Sequence, residues 1–266
     1  MPALLAMVSL PLLAAPREAL VPGGVGRLAL GPASGPRPEV HLDGHPVLVR
    51  KEGEVWAAWV GLPLDLAPGP HPVEIHSGTH ADTRILEIQP KTYPVQHLHV
   101  KNRHMVNPDP DELARIQREA ATQNEVKTLF RQESSPPLDF IAPAPGRRSS
   151  AFGLRRTFNG EPRAPHRGLD IAAGRGTPVV APAGGIVTHV GTFFFNGNTV
   201  FVDHGQGLIS MFCHLDRVDI RAGQRVRQGE RLGSVGSTGR VTGPHLHWSL
   251  FMNGTPVDPA LFIDAR

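Results

Sequence analysis

His166-Arg-Gly-Leu-Asp170 and, further along, Pro244-His-Leu-His-Trp-Ser-Leu-Phe251 decide how this chain is read. The second stretch is apolar and aromatic, which suits a strand. Side chains at i and i+2 of a strand share a face, so His245 and His247 look one way and Leu246 the other. In the first stretch, His166 and Asp170 flank Gly168, a residue that permits close backbone approach. Neutral imidazole and carboxylate are the nitrogen and oxygen ligands that zinc prefers. A catalytic zinc site takes three protein ligands and keeps a fourth position open. His166, Asp170 and one of His245 or His247 make such a set. The remaining histidine then lies beside the metal, where an acid or base is useful. A His-x-His pair alone carries little weight; the joint pattern points to a zinc hydrolase.

Around these residues run Phe152-Gly-Leu-Arg155, Ala181-Pro-Ala-Gly-Gly185, Cys213-His214-Leu215 and Gly236-Ser-Thr-Gly239 with Thr242-Gly-Pro-His-Leu-His247. Together with His166–Asp170 they resemble, in order and register over roughly residues 147–262, the lysostaphin/LytM-type murein zinc endopeptidases. The resemblance implies that His166, Asp170 and His247 hold one Zn2+. It implies that His214 and His245 are catalytic histidines that do not bind the metal. The implied reaction is hydrolysis of peptide bonds in the cross-linked stem peptides of peptidoglycan. One feature departs from the pattern. Some relatives place a tyrosine near the metal to stabilise the oxyanion, whereas the single tyrosine here, Tyr93, lies outside the matched region. Either the two histidines carry that role or another donor helps.

The length of 266 residues allows one or two domains. With 29 Gly and 27 Pro, turns are frequent and long helices few. The fold class expected is all-β with one or two linker helices: a small N-terminal β-sandwich followed by a β-rich LytM-like catalytic domain. Residues 1–15 read as a signal peptide, being nearly all apolar from Ala3 to Ala15 but too short to span a bilayer. No Lys or Arg precedes that run, which is atypical. The expectation is export to the periplasm or cell wall and a mature chain without a membrane span.

Residues 16–100 hold short alternating runs, among them Val47-Leu-Val49, Val55–Val60, Pro72–Ile75 and Arg84–Ile88. Turn signals at Asp43-Gly44, Pro68-Gly-Pro70 and Ser77-Gly78 separate them. Trp56 and Trp59 fall on opposite faces of a regular strand, so one is expected in the core. His97-Leu-His99 copies the spacing of the catalytic pair, but no His-x-x-x-Asp accompanies it. Residues 101–138 form a helical linker. Asp109 is a plausible N-cap, Pro110 the first helical residue, and Leu113, Ile116 and Ala120 an apolar stripe. The helix is expected to stop before Ser134-Ser-Pro-Pro137.

Residues 139–266 read as consecutive short strands with β-branched or aromatic cores. Asn196-Gly197 and Gly205-Gln-Gly207 mark turns, and His214 is expected to end a strand. His189 and His204 read as structural. Gly236–Gly243 lacks the Gly-Lys-Ser/Thr ending of a phosphate loop and reads as a groove wall. Cys213 is the single cysteine, so no intramolecular disulfide exists. Its neighbour His214 points the opposite way on a strand, which favours a buried structural thiol over a Cys-His nucleophile.

Charge is uneven. Residues 139–266 carry fourteen Arg, no Lys and nine acids, a net +5, against −2 for the rest. A basic catalytic half suits an anionic polymer such as murein. The arginines are scattered among turns without a recognition helix or stacking aromatics, so nucleic acid is not expected as a partner. Two rival functions remain: a non-catalytic LytM-type regulator of cell-wall amidases, and a secreted toxin. The complete ligand set disfavours the first and the absence of a wall-targeting repeat the second.

Overall fold

The structure is a computed structural model, in which residues 16–99 and 107–264 are described. The expected signal segment 1–15 lies outside the described residues.

The N-terminal half contains β1 (Val25–Pro32), β2 (Glu39–Leu42), β3 (His45–Pro46), β4 (Leu48–Glu52), β5 (Val55–Gly61), β6 (Gly69–Ser77) and β7 (His80–Ile88). They pair antiparallel into two sheets, β1-β5-β4 and β3-β2-β6-β7. Val40, Val60, Val73, Ile75 and Leu86 fill the space between them. The sandwich is therefore as the alternation required. Asp43 and Gly44 adopt φ of 49° and 75°, the left-handed pair of a tight hairpin turn. Trp59 is buried at 1% exposure, and its indole N–H donates to Glu52 Oε1 at 2.8 Å. Trp56 is only partly buried and packs against the sandwich core.

Two elements connect the halves: β8 (Val95–Leu98) and α1 (Pro110–Lys127). Asp109 caps α1 through a reciprocal capping box with Glu112. The helix ends at Lys127 with Thr128 as its C-cap. The expected stripe does not form. Leu113 and Ala120 are exposed, and Val126 is the residue buried from the helix. Polar groups dock the helix instead. Glu119 accepts from the Phe194 backbone N–H at 2.7 Å, and Gln123 accepts from Asn196 Nδ2 at 3.0 Å. A helix held by side-chain acceptors against the turn after β14 needs no continuous apolar face.

The C-terminal half contains β9 (Arg147–Ser150), β10 (Arg155–Phe158), β11 (Glu161–Arg163), β12 (Leu169–Ala172), β13 (Pro178–Val180), β14 (Gly185–Phe193), β15 (Gly197–Gly205), β16 (Leu208–Val218), β17 (Arg225–Val226), β18 (Arg231–Val235), β19 (Leu246–Met252) and β20 (Thr255–Val257). The main path is β17-β14-β15-β16-β19-β12-β9, with β13, β18 and β20 joined at its sides. The central strands β15, β16 and β19 are buried on both faces, which explains their continuous apolar runs. Trp248, Phe212, Leu215 and Leu246 form the core behind the two histidine-bearing strands. The same cluster takes in Val25, Leu48 and Trp59 from the sandwich, so the two halves share a core.

Separately, β10 and β11 form a hairpin, and β8 lies parallel beside β10. The residues leaving the sandwich thus pair with the C-terminal half before α1 begins.

Candidate metal centre

Pairing of β12 with β19 puts Asp170 directly opposite His247. The turn before β12 delivers His166 to the same spot. Gly168 makes this possible: a Cβ there would lie 2.7 Å from the His247 ring. His166 Nε2, His247 Nδ1 and Asp170 Oδ1 converge, with separations of 3.0 Å between the imidazole nitrogens and 2.9 and 2.8 Å from each to the carboxylate oxygen. Among the described residues they are the group of three placed to hold a metal ion.

The outer contacts of each of the three residues fit that role. His166 Nδ1 donates to the Ala151 carbonyl at 2.8 Å, which leaves Nε2 as a lone pair. His247 Nε2 donates to the Ser249 hydroxyl at 2.9 Å, which leaves Nδ1 as a lone pair. These tautomers are assigned from the hydrogen-bond network. Burial pushes the Asp170 carboxyl up, but its contacts with His166 and His247 outweigh burial and hold it well below the usual carboxylate range. Three acceptors thus meet within about 3 Å in a buried site, which requires a shared proton or a cation between them. Tetrahedral zinc places its ligand atoms about 3.3 Å apart, so the set fits zinc with small side-chain adjustment.

His245 and His214 lie beside this trio. His245 sits just before β19, bridged to Gly236, and its Nε2 is 3.9 Å from Asp170 Oδ1. Its Nδ1 donates to the Gly243 carbonyl at 2.9 Å. Leu246 between the histidines is fully buried in the core, as strand alternation required. His214 does not end its strand. It lies inside β16 with φ of 64°, in the left-handed region that few non-glycine residues adopt. That twist turns its ring to within 5.0 Å of His245 and 6.0 Å of His247, centroid to centroid. Its Nδ1 donates to the Thr238 carbonyl at 2.9 Å. Burial, then the nearby His247 and His245, push its pKa down to about 3, so the ring is neutral.

The groove above the trio has a volume of about 330 Å³. Val241, Thr242 and Gly243 from the glycine-rich segment form one wall, and Arg156, Gln96 and Ser150 part of another. Arg240 also lines it, stacked 4.1 Å above the Phe195 ring centroid. Arg156, Gln96 and Ser249 did not stand out in the sequence. Arg156 directly follows the Phe152–Arg155 motif, but nothing there indicates that it turns toward Asp170.

The remaining candidates lie elsewhere. Tyr93 donates to the Pro22 carbonyl at 2.8 Å and packs edge-on against Phe152. It is not among the residues lining the groove. His97 contacts Thr157 Oγ1 at 2.7 Å on the outside of β8. His204 is buried between the Gly184 carbonyl and Ser210 hydroxyl, at 2.8 and 2.9 Å. His189 stacks on Phe193. Cys213 is fully buried, and burial raises its thiol pKa to about 12, so it is no nucleophile.

The chain is similar to known proteins over nearly its whole length. Residues 164–259 match the model of peptidase family M23, and residues 18–91 match that of the peptidase family M23 N-terminal domain. Over 125 residues the chain is 42% identical to the peptidoglycan DD-endopeptidase ShyC of Vibrio cholerae, covering 46% of this chain and 28% of that protein. It is 47% identical over 94 residues to the DD-carboxypeptidase/endopeptidase Mpg of Neisseria meningitidis, covering 35% of this chain and 22% of that one. The chain therefore spans about a quarter of the length of these curated relatives. A crystal structure of a chain from Pseudomonas aeruginosa assigned to peptidase M23 superposes with a TM-score of 0.78 at 43% identity, over 92% of this chain and 95% of that chain. With its motifs, its two family domains and a likeness that runs nearly end to end, the chain belongs to peptidase family M23.

Proposed function

We propose that this chain is a zinc-dependent endopeptidase that hydrolyses peptide cross-links of peptidoglycan. The observation that carries this is the convergence of His166 Nε2, Asp170 Oδ1 and His247 Nδ1 beneath a groove that also holds His214 and His245. His166, Asp170 and His247 would hold one Zn2+. In such a site zinc supplies Lewis-acid polarisation of a carbonyl and acidifies water.

The chain's own groups do the rest. His214 and His245 each commit Nδ1–H to a backbone carbonyl. Each therefore presents Nε2 with a free lone pair. One takes the proton of the attacking water and the other, once protonated, donates to the leaving amine or to the oxyanion. Ala151, Ser249 and Arg156 fix the orientation of the three ligands through hydrogen bonds. Two groove arginines and a net +5 C-terminal half favour an acidic peptide substrate. The names of the relatives support peptidoglycan as that substrate. Work on the cell wall implies export. Among the described residues no helix is long and apolar enough to cross a membrane.

Purified murein incubated with the full chain and analysed by mass spectrometry tests the proposal. Loss of cross-linked dimers with wild type, and none with Asp170→Ala, is the expected result. Intact murein with zinc-loaded protein would favour the amidase-regulator role.

A further inference from the structure

Asp170 uses one oxygen toward the ligand trio. Its second, Oδ2, accepts from Arg156 Nη2 at 3.0 Å. The carboxylate and the guanidinium are both largely buried, at 10% and 18% side-chain exposure. The same Nη2 reaches Ser150 Oγ at 3.3 Å, and Arg156 Nε donates to Gln96 Oε1 at 3.2 Å. Gln96 Nε2 in turn donates to Ser150 Oγ at 3.3 Å. The guanidinium fork is thus gripped on both sides of the contact it makes with the carboxylate.

Gln96 does not belong to the C-terminal half. It sits on β8, directly opposite Arg156 in the parallel β8–β10 pairing. That strand is anchored from both halves. The Tyr93 hydroxyl donates to the Pro22 carbonyl, and Arg155 N–H donates to the Pro94 carbonyl at 2.9 Å. Gly153 accommodates the Tyr93 ring, since a Cβ there would lie 2.1 Å from it. A continuous run of contacts therefore leads from the sandwich through Gln96 and Arg156 to a metal ligand.

We propose that Arg156 is a positioning residue that holds Asp170 as a one-oxygen metal ligand, and that Gln96, carried on the strand leaving the N-terminal sandwich, holds Arg156 in place. The sandwich thereby contributes to metal affinity without supplying a ligand. Two effects compete. The guanidinium charge opposes a cation nearby, whereas its hydrogen bond fixes the carboxylate and keeps Oδ2 from being buried without a partner. Orientation wins here, because partners of ligating carboxylates typically contribute 10–100-fold to metal affinity. Lysine can supply the charge but not the planar fork.

Arg156→Ala, Arg156→Lys and Gln96→Ala in the full-length chain test this. The zinc dissociation constant is measured by competition with a chromogenic chelator, and the visible absorption of the cobalt-substituted protein is recorded. The expected result is binding about 10–100-fold weaker for Arg156→Ala with an altered cobalt spectrum. Arg156→Lys should recover part of the affinity, and Gln96→Ala should lose less than Arg156→Ala. Equal or tighter zinc binding by Arg156→Ala, with an unchanged spectrum, overturns the proposal while leaving the peptidase function standing. Should Arg156→Ala fail to fold, wild-type affinity in both other variants overturns it. A wild-type chain that takes up no zinc overturns both this proposal and the metal assignment.

Discussion

His166 Nε2 faces His247 Nδ1 across 3.0 Å, and each ring has committed its other nitrogen to a hydrogen bond. Two imidazole lone pairs and a carboxylate oxygen pointed at one another are unfavourable unless a positive charge lies between them. Asp170→Ala removes the sole negative charge of the trio. The expected outcome is zinc content far below one per chain by elemental analysis, with the variant still folded. Stoichiometric zinc in that variant would show that the ligand assignment is wrong.

His214 and His245 should behave differently. Neither contributes to the converging trio, and both hold Nδ1 on a backbone carbonyl. Replacing either with Ala should leave zinc content unchanged and slow turnover by the ~10²–10⁴-fold typical of general acid–base groups. Loss of metal from either variant would mean that the histidine roles are exchanged.

Gly168 offers a test that touches no ligand. An added methyl would meet the His247 ring and the Trp248 carbonyl, each at 2.7 Å. The carbonyl is held by the β12–β19 ladder, so the imidazole has to give way. Gly168→Ala should therefore weaken zinc binding by displacing His247. Wild-type zinc affinity, measured by chelator competition, would show that the turn relaxes instead.

That His166, Asp170 and a histidine of the His245-Leu-His247 pair come together was legible, because strand alternation and a glycine flanked by His166 and Asp170 are local properties; alternation alone did not choose between the two histidines. The hairpin at Asp43-Gly44 and the buried Leu246 were legible too. What the sequence hid depends on partners distant in the chain. The Leu113–Ile116–Ala120 spacing is helical, but Glu119 and Gln123 dock α1 through hydrogen bonds that no apolar pattern records. The φ of 64° at His214 runs against the usual preference of a non-glycine residue, so no local propensity announces it. The pairing of β8 with β10 joins residues about sixty apart, which no local pattern encodes.

His204 predicts a pH dependence separate from the metal. Burial is the main cause that lowers its pKa to about 4, against about 6.5 when unfolded. The folded protein thus keeps it neutral while the unfolded chain binds a proton. Its contribution is complete above pH 6.5 and is lost as pH falls from 6.5 through 4. The loss is on the order of 3 kcal/mol. Urea unfolding of the metal-free protein between pH 7 and 4 measures it. His204→Asn should show a shallower fall over that range than wild type. Parallel pH profiles would remove His204 as the cause.

The last prediction concerns what the N-terminal sandwich does. Two amides from the C-terminal half grip its strands. Gln206 pairs with both the N–H and the carbonyl of Val49, at 2.9 and 3.0 Å. Asn253 does the same for Gly61, at 2.7 and 3.0 Å. Both side chains are almost fully buried, so removing either leaves backbone groups unsatisfied at about 1–3 kcal/mol. These clamps lie at the Met252 end of β19, five residues or roughly 16 Å from His247. From the N-terminal half, Gln96 on β8 is the residue that lines the groove. The sandwich should therefore position the catalytic half and not cover its groove. Gln206→Ala with Asn253→Ala should lower the unfolding free energy by more than either change alone. Cleavage of a small soluble stem peptide by the folded, zinc-loaded double variant should not rise. A several-fold faster rate on that peptide would show that the sandwich restrains the site, and that loosening it opens the groove.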